Sequence, residues 1–166
     1  VVQSNQPRVT YPVIGAPIDV LDWNTAIGRI SGWAGARESR YVCICNVHSV
    51  VTAMQEPDFG DVVRQADMAT PDGMPVAWML RRLGAPGQQR INGPDLMWKY
   101  CELAARRNEP VFFYGSTDDT LAKLRVALDS AFPGFKSAGM YSPPFRTLSA
   151  QEDQQIVDMI NTSGAG

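Results

Sequence analysis

Four short segments carry residue types whose spacing could support chemistry. Asp72 stands between Pro71 and Gly73, after one apolar run and before a helical pattern. A carboxylate there can cap the helix or act as a general base aimed into a crevice at a sheet end. Gly73 would let a ligand come close to the backbone. Arg90 sits in the polar stretch Gln88–Gly93, just ahead of a helix opened by Pro94. It is either a solvated charge or, beside a helix N-terminus that favours anions, a planar clamp for a diphosphate. Asn46 and His48 follow a second apolar run. Asn46 can cap the next helix or contact a ligand; His48, the sole histidine, can be a satisfied structural group or a catalyst. Gly115-Ser116-Thr117 follows the run VFFY and has the form of a phosphate-accepting turn, with Ser116 or Thr117 as the helix cap.

The chain has no G-x-G-x-x-G and no G-x-x-x-x-G-K-[ST] segment, so dinucleotide-binding and P-loop readings lose their main support. It has no Asp-x-Asp; Glu56-Pro57-Asp58 comes nearest and reads as a helix boundary, so a metal-bound diphosphate is not indicated. A serine-hydrolase elbow is absent as well. Three cysteines cannot all pair, and Cys43 and Cys45 flank Ile44 in an apolar run, as buried thiols would. With one histidine, zinc-ligand spacing is missing.

These segments need a scaffold. The 166 residues fall within the ~100–200 typical of one domain. Hydrophobic residues make up 45% and charged residues 19%, an ordinary globular composition. Fifteen basic against 17 acidic side chains, spread evenly along the chain, give a net charge of −2, which argues against a nucleic-acid partner. No apolar run approaches the ~18–20 residues of a membrane span, and no signal peptide is visible.

Periodicity predicts alternating strands and helices. Residues 1–10 read as a loose segment and 11–14 as a short strand. Asp22 caps a helix with Trp23, Ala26, Ile27, Ile30 and Ala34 on one face. Arg40–Asn46 reads as a buried strand, followed by a helix whose inner face is Val47, Val50, Val51 and Met54 and a shorter one capped by Asp58. Asp67–Thr70 is a strand, and Val76, Met79, Leu80 and Leu83 mark the helix after it. On the Pro94 helix the inner face is Leu96, Met97, Tyr100, Leu103 and Ala104. Val111–Tyr114, a helix with Leu121, Leu124 and Leu128, the strand Phe135–Met140 and a helix from Ser149 with Ile156, Val157 and Ile160 complete the pattern. Arg81 and Arg82 fall off the apolar stripe as exposed charges; the four tryptophans fall mostly on core faces. The alternation implies an α/β layered fold with a largely parallel sheet flanked by helices, whose ligands bind beyond the carboxyl ends of the strands.

With Asn46-Val47-His48, ATPDGMP (Ala69–Pro75), RINGPDLMW (Arg90–Trp98), VFFYG and SPPFR (Ser142–Arg146) in that order, the chain resembles the WecG/TagA/CpsF glycosyltransferases from about Pro12 onward. The resemblance implies a Rossmann-like domain over 11–166. It implies an inverting, metal-independent transfer of N-acetylmannosamine, or a hexose such as glucose, from a UDP-sugar to a polyprenyl-diphosphate-linked saccharide. No cofactor is expected. Asp72 matches the proposed base; Arg90 matches the arginine near the DLM segment, which includes Asp95; Asn46 matches the strand-end asparagine. His48, Gly73, Gly115 and Ser116 join Asp95 as expected substrate-binding positions. Many members carry a threonine where this chain has Ile44. The family also continues with a strand, a Gly-x-Pro-x-Gln-Glu segment and a basic, apolar region that meets the membrane, so the expectation is a C-terminally truncated chain whose whole protein is cytoplasmic and peripheral at the inner membrane face. Self-association into a homo-oligomer is allowed. The competing readings are a non-catalytic nucleotide-sugar-binding module and a structural or oligomer-forming domain.

Overall fold

The structure, a computed structural model, describes residues 8–165. The chain divides into two compact units, 1–97 and 98–166. Most of the expected loose N-terminal segment (residues 1–7) lies outside the described residues. Arg8, within that segment, is tied to buried Asp19 through Nε and Nη2, both at 3.0 Å.

Unit 1 opens with an antiparallel hairpin, β1 (Thr10–Val13) and β2 (Ala16–Asp19). Its turn is Ile14-Gly15, with φ of 51° and 86°, the two positive values that a tight two-residue hairpin needs. Asp22 caps α1 (Trp23–Ala36) by accepting from the Thr25 N–H at 2.7 Å. Helix α1 packs Ala26, Ile27 and Ile30 against Leu21, Met68, Ile91 and Leu96.

The parallel pair β3 (Val42–Cys45) and β4 (Met68–Pro71) forms the centre of this unit. Every residue of β4 is buried, whereas β3 is fully buried only at Cys45. Strand β3 is therefore shorter and less buried than the expected Arg40–Asn46. Asp67 is outside β4; its carboxylate accepts from the Tyr41 N–H at 3.0 Å and from Arg40 at 2.8 Å, latching the start of the sheet. Desolvation pushes the Cys45 thiol up to about 12.

Helices α2 (Val47–Gln55), α3 (Pro57–Gln65) and α4 (Met74–Arg82) surround the pair. On α2 the inward residues are Val50 and Ala53; Val47 and Met54, expected on that face, are exposed. Glu56 is the boundary residue before α3, with Pro57 opening the helix, so Asp58 lies in the first turn rather than at the cap. Proline fits there because the missing N–H has no helical partner. On α4 the core takes Val76, Ala77 and Leu80, leaving Met79 and Leu83 outside. Trp78 and Trp98 are also exposed, against the expectation that the tryptophans lie mostly on core faces.

Helix α5 (Gly93–Arg107) begins in unit 1 and continues into unit 2. Met97, expected on its inner face, is exposed. Unit 2 holds a second parallel pair, β5 (Val111–Tyr114) and β6 (Ser137–Tyr141), with α6 (Asp118–Ala131) and α7 (Ala150–Thr162). Its core is Cys101, Ala104, Phe113, Leu121, Leu128 and Phe135. Phe135 is in that core but before β6, which starts later than the sequence suggests. Gly139 pairs with Phe112, and a Cβ there would collide with the Phe112 ring. Ile156 of α7 is buried and Val157 is not. Two short parallel sheets flanked by helices are the Rossmann-like α/β fold expected from the sequence.

Candidate active site

The in-register pairing of Cys45 with Pro71 brings the carboxyl ends of β3 and β4 side by side. The next residue on each strand is a candidate: Asn46 on one, Asp72 on the other. The Asp72 N–H donates to the Cys45 and Thr70 carbonyls at 2.9 and 3.0 Å, which fixes its backbone at the sheet end. Gly73 follows with φ 95°, a conformation that L side chains rarely adopt. It occupies the cap position of α4, and no side chain caps that helix. The helix-cap alternative for Asp72 is therefore not what the fold uses.

The Asp72 carboxylate instead meets Arg90, whose Nε donates to Oδ1 at 3.1 Å. Asp72 is largely enclosed, with 19% of its side chain exposed against 48% for Arg90. The contact occupies Nε, so the two Nη groups of the fork can still meet a planar anion. The loop carrying Arg90 is fastened on both sides. The Gln88 side chain is buried, donating to the Leu21 carbonyl at 2.8 Å and accepting from the Leu21 N–H at 3.1 Å. Arg81 Nε donates to the Gln88 carbonyl at 2.7 Å, so Arg81, although exposed, braces this loop. The Ile91 N–H donates to the Pro71 carbonyl at 2.9 Å, laying the loop against the end of β4.

Asn46 caps α2: its Oδ1 accepts from the Ser49 N–H at 3.0 Å and from the Ser49 hydroxyl at 3.2 Å. Capping uses Oδ1 and does not engage Nδ2, so the cap and ligand-contact readings coexist. His48 is exposed in the first turn of α2. Asp95 and Asn92 bond reciprocally, the Asp95 N–H to Asn92 Oδ1 at 2.9 Å and Asn92 Nδ2 to Asp95 Oδ2 at 2.6 Å. Asp95 thus fastens the first turn of α5. Ile44 packs close to Gly93 and supplies an apolar wall. Thr70, its register partner, keeps a fully buried hydroxyl with no hydrogen-bond partner.

Gly115 and Ser116 belong to unit 2, where they follow β5 with φ of 120° and 64°. Thr117, not Ser116, caps α6, accepting from the Thr120 N–H at 3.3 Å. The Ser116 carbonyl accepts from the Ser142 hydroxyl at 2.8 Å, which ties this turn to the SPPFR loop.

Asp72, Arg90 and Asn46 are legible in the sequence as candidates; the holding roles of Asn92, Gln88 and Arg81 are less so. Asn92 was detectable, since an asparagine ahead of Pro94 with an acid three residues on is a helix-start signal. Gln88 acts through the backbone of Leu21, 67 residues away, and Arg81 through the Gln88 carbonyl across a loop; neither contact has a local sequence pattern. Among the described residues, no group of three or more His, Cys, Asp or Glu side chains converges to hold a metal ion.

The glycosyl transferase WecG/TagA/CpsF family model matches residues 11–166. An N-acetylglucosaminyldiphosphoundecaprenol N-acetyl-beta-D-mannosaminyltransferase of Bacillus spizizenii is 30% identical over 123 residues, covering 74% of this chain and 46% of that protein. A protein of the same description from Bacillus subtilis is 29% identical over 110 residues, covering 64% of this chain and 43% of its own. The matched regions span less than half of each relative.

Proposed function

Because the chain belongs to the WecG/TagA/CpsF glycosyl transferase family, we propose that its site carries an inverting sugar transfer from a UDP-sugar to a lipid-diphosphate-linked saccharide. The observation that carries this reading is the Asp72–Arg90 contact at the carboxyl end of a parallel strand pair. The descriptions of the two relatives support N-acetylmannosamine as the transferred sugar and N-acetylglucosaminyl-diphosphoundecaprenol as the acceptor.

In this reading an acceptor hydroxyl approaches Asp72 as the donor phosphate draws Arg90 toward itself. Released from its guanidinium partner, the carboxylate takes the hydroxyl proton while the acceptor oxygen bonds to the anomeric carbon. The bond from that carbon to the diphosphate breaks, and UDP leaves with its charge facing the Arg90 Nη groups. Asn46 Nδ2 lies at the end of the neighbouring strand, placed to orient a sugar or phosphate oxygen. The arginine supplies positive charge that many sugar transferases take from a metal, so metal independence is part of the proposal. No helix among the described residues is long and apolar enough to cross a membrane, and the proposal places the protein at the membrane face as a peripheral enzyme.

The test is UDP release with a polyprenyl-diphosphate-linked N-acetylglucosamine acceptor, in chelator, for the chain and for Asp72→Asn. The expected outcome is turnover that survives chelation and falls about 10²–10⁴-fold in the variant, the range for a lost general base. Near-wild-type turnover by Asp72→Asn removes it as the base. UDP binding by calorimetry without turnover favours the binding-module reading.

A further inference from the structure

Helix α4 starts immediately after Asp72-Gly73 and buries Val76, Ala77 and Leu80 on one side. The other side is not the polar surface that such a helix normally presents to water. Met74 and Trp78 share one line with Arg82, and Met79 and Leu83 flank it. All four apolar side chains are exposed, Trp78 by 54%. The helix has no acidic residue in its first turn, and Arg81 and Arg82 lie in its last.

A second apolar surface gives the contrast. Val47, Met54, Phe59 and Val62 are exposed on α2 and α3. That surface is accompanied by Glu56, Asp58 and Asp61, with Arg64 paired to Asp61. An anionic lipid surface would be repelled there. It would be attracted to α4, where Trp and Met can enter the interfacial layer while Arg82 reaches the headgroups.

We propose that the outer face of α4, formed by Met74, Trp78, Met79, Leu83 and Arg82, docks on an anionic membrane surface and so presents the Asp72 site to a lipid-linked acceptor. The inference rests on the acceptor class proposed above. It differs from a membrane contact made by some further basic region, because the contacting residues lie in the helix next to the candidate base. Docking through this face would put the acceptor's diphosphate and first sugar at the start of α4, where Asp72 and Arg90 meet.

Vesicle sedimentation of the full chain, with no donor or acceptor present, tests this independently of turnover. The expected result is binding to phosphatidylcholine–phosphatidylglycerol vesicles and not to phosphatidylcholine alone. Arg82→Gln should weaken binding about fivefold, the effect of one cation at such a surface. Trp78→Ser should weaken it further, and brominated lipid should quench wild-type fluorescence more than that of Trp78→Phe. Met54→Ser, on the acidic surface, should bind as wild type does. Absence of binding by folded wild-type chain overturns the proposal, as does unchanged binding by both α4 variants. A dimer that Trp78→Ser converts to monomer, with no vesicle binding, also overturns it and assigns the face to a second copy. Because Asp72→Asn should leave vesicle binding intact, failure of the catalytic reading and failure of this one give different results.

Discussion

Asp72 and Arg90 are 18 residues apart in sequence and 3.1 Å apart in space. A contact between a candidate base and a cation can serve the base or the leaving group, and the two roles respond differently to substitution. If Arg90 receives the diphosphate, its planar fork matters, because lysine offers a point charge without bidentate geometry. Arg90→Lys should then weaken UDP binding about tenfold by calorimetry, one bidentate charged contact being worth at least ~1.4 kcal/mol. Asp72→Asn should leave UDP binding within about twofold, since in the proposed mechanism Asp72 meets the acceptor rather than the nucleotide. If Asp72→Asn loses as much UDP affinity as Arg90→Lys, the carboxylate serves only to hold the arginine.

At the scale of elements, the loop from Gln88 to Asn92 and the first turn of α5 position Arg90. Asn92 is buried and capped reciprocally with Asp95. Asn92→Ala should cost about 1 kcal/mol of stability, the usual value of such a cap, measured by denaturant midpoint. It should also raise the KM for donor by loosening Arg90. Helix α7 has a comparable fastening. Arg146 chiefly, with Ser149, holds the Glu152 carboxyl down from 4.5 to about 2. A folded-state value below the ordinary one means that the stabilisation is complete above about 4.5 and is lost as pH falls toward 2. An NMR titration should place the Glu152 midpoint near 2, and Arg146→Ala should move it up toward 4.5. A wild-type midpoint at 4.5 would show that this pair is open in solution.

Those fastenings also explain what the sequence could reveal. Asp22, Asn46, Thr117 and Ser149 each cap a helix, as their residue types suggest, because a cap is a contact over three residues. The β1–β2 turn was not legible: Ile14 takes a positive φ that isoleucine seldom adopts, where Asn-Gly would have signalled a hairpin. The inner face of α2 was misread because Val47 and Met54 are apolar at helical spacing yet point outward. Periodicity reports which side is apolar, not whether a partner covers it. Asp72 could be singled out from its place after a strand, but its choice of Arg90 over a helix N–H depends on a loop anchored through Gln88 and Leu21.

For the whole molecule, the division into two units means that two parallel pairs are stabilised by separate sets of buried side chains. Leu80 is fully buried among Val13, Ile18, Val50 and Val76 in unit 1. Leu128 is fully buried among Cys101, Ala104, Phe113 and Leu121 in unit 2. Either leucine cut to alanine removes packing worth ~2–5 kcal/mol. The two clusters share no member, and the candidate base and arginine both belong to the first unit. Leu128→Ala should therefore speed amide exchange in β5 and β6 while leaving β3, β4 and the affinity for UDP close to wild type. Leu80→Ala should act on β3 and β4 and weaken UDP binding, because Leu80 anchors to the core the helix that follows Asp72. Exchange mass spectrometry on both variants decides this. Equal acceleration in both strand pairs from either substitution would mean that the units unfold as one, and that the site's stability is set as much by residues after Met97 as by the sheet end that carries it.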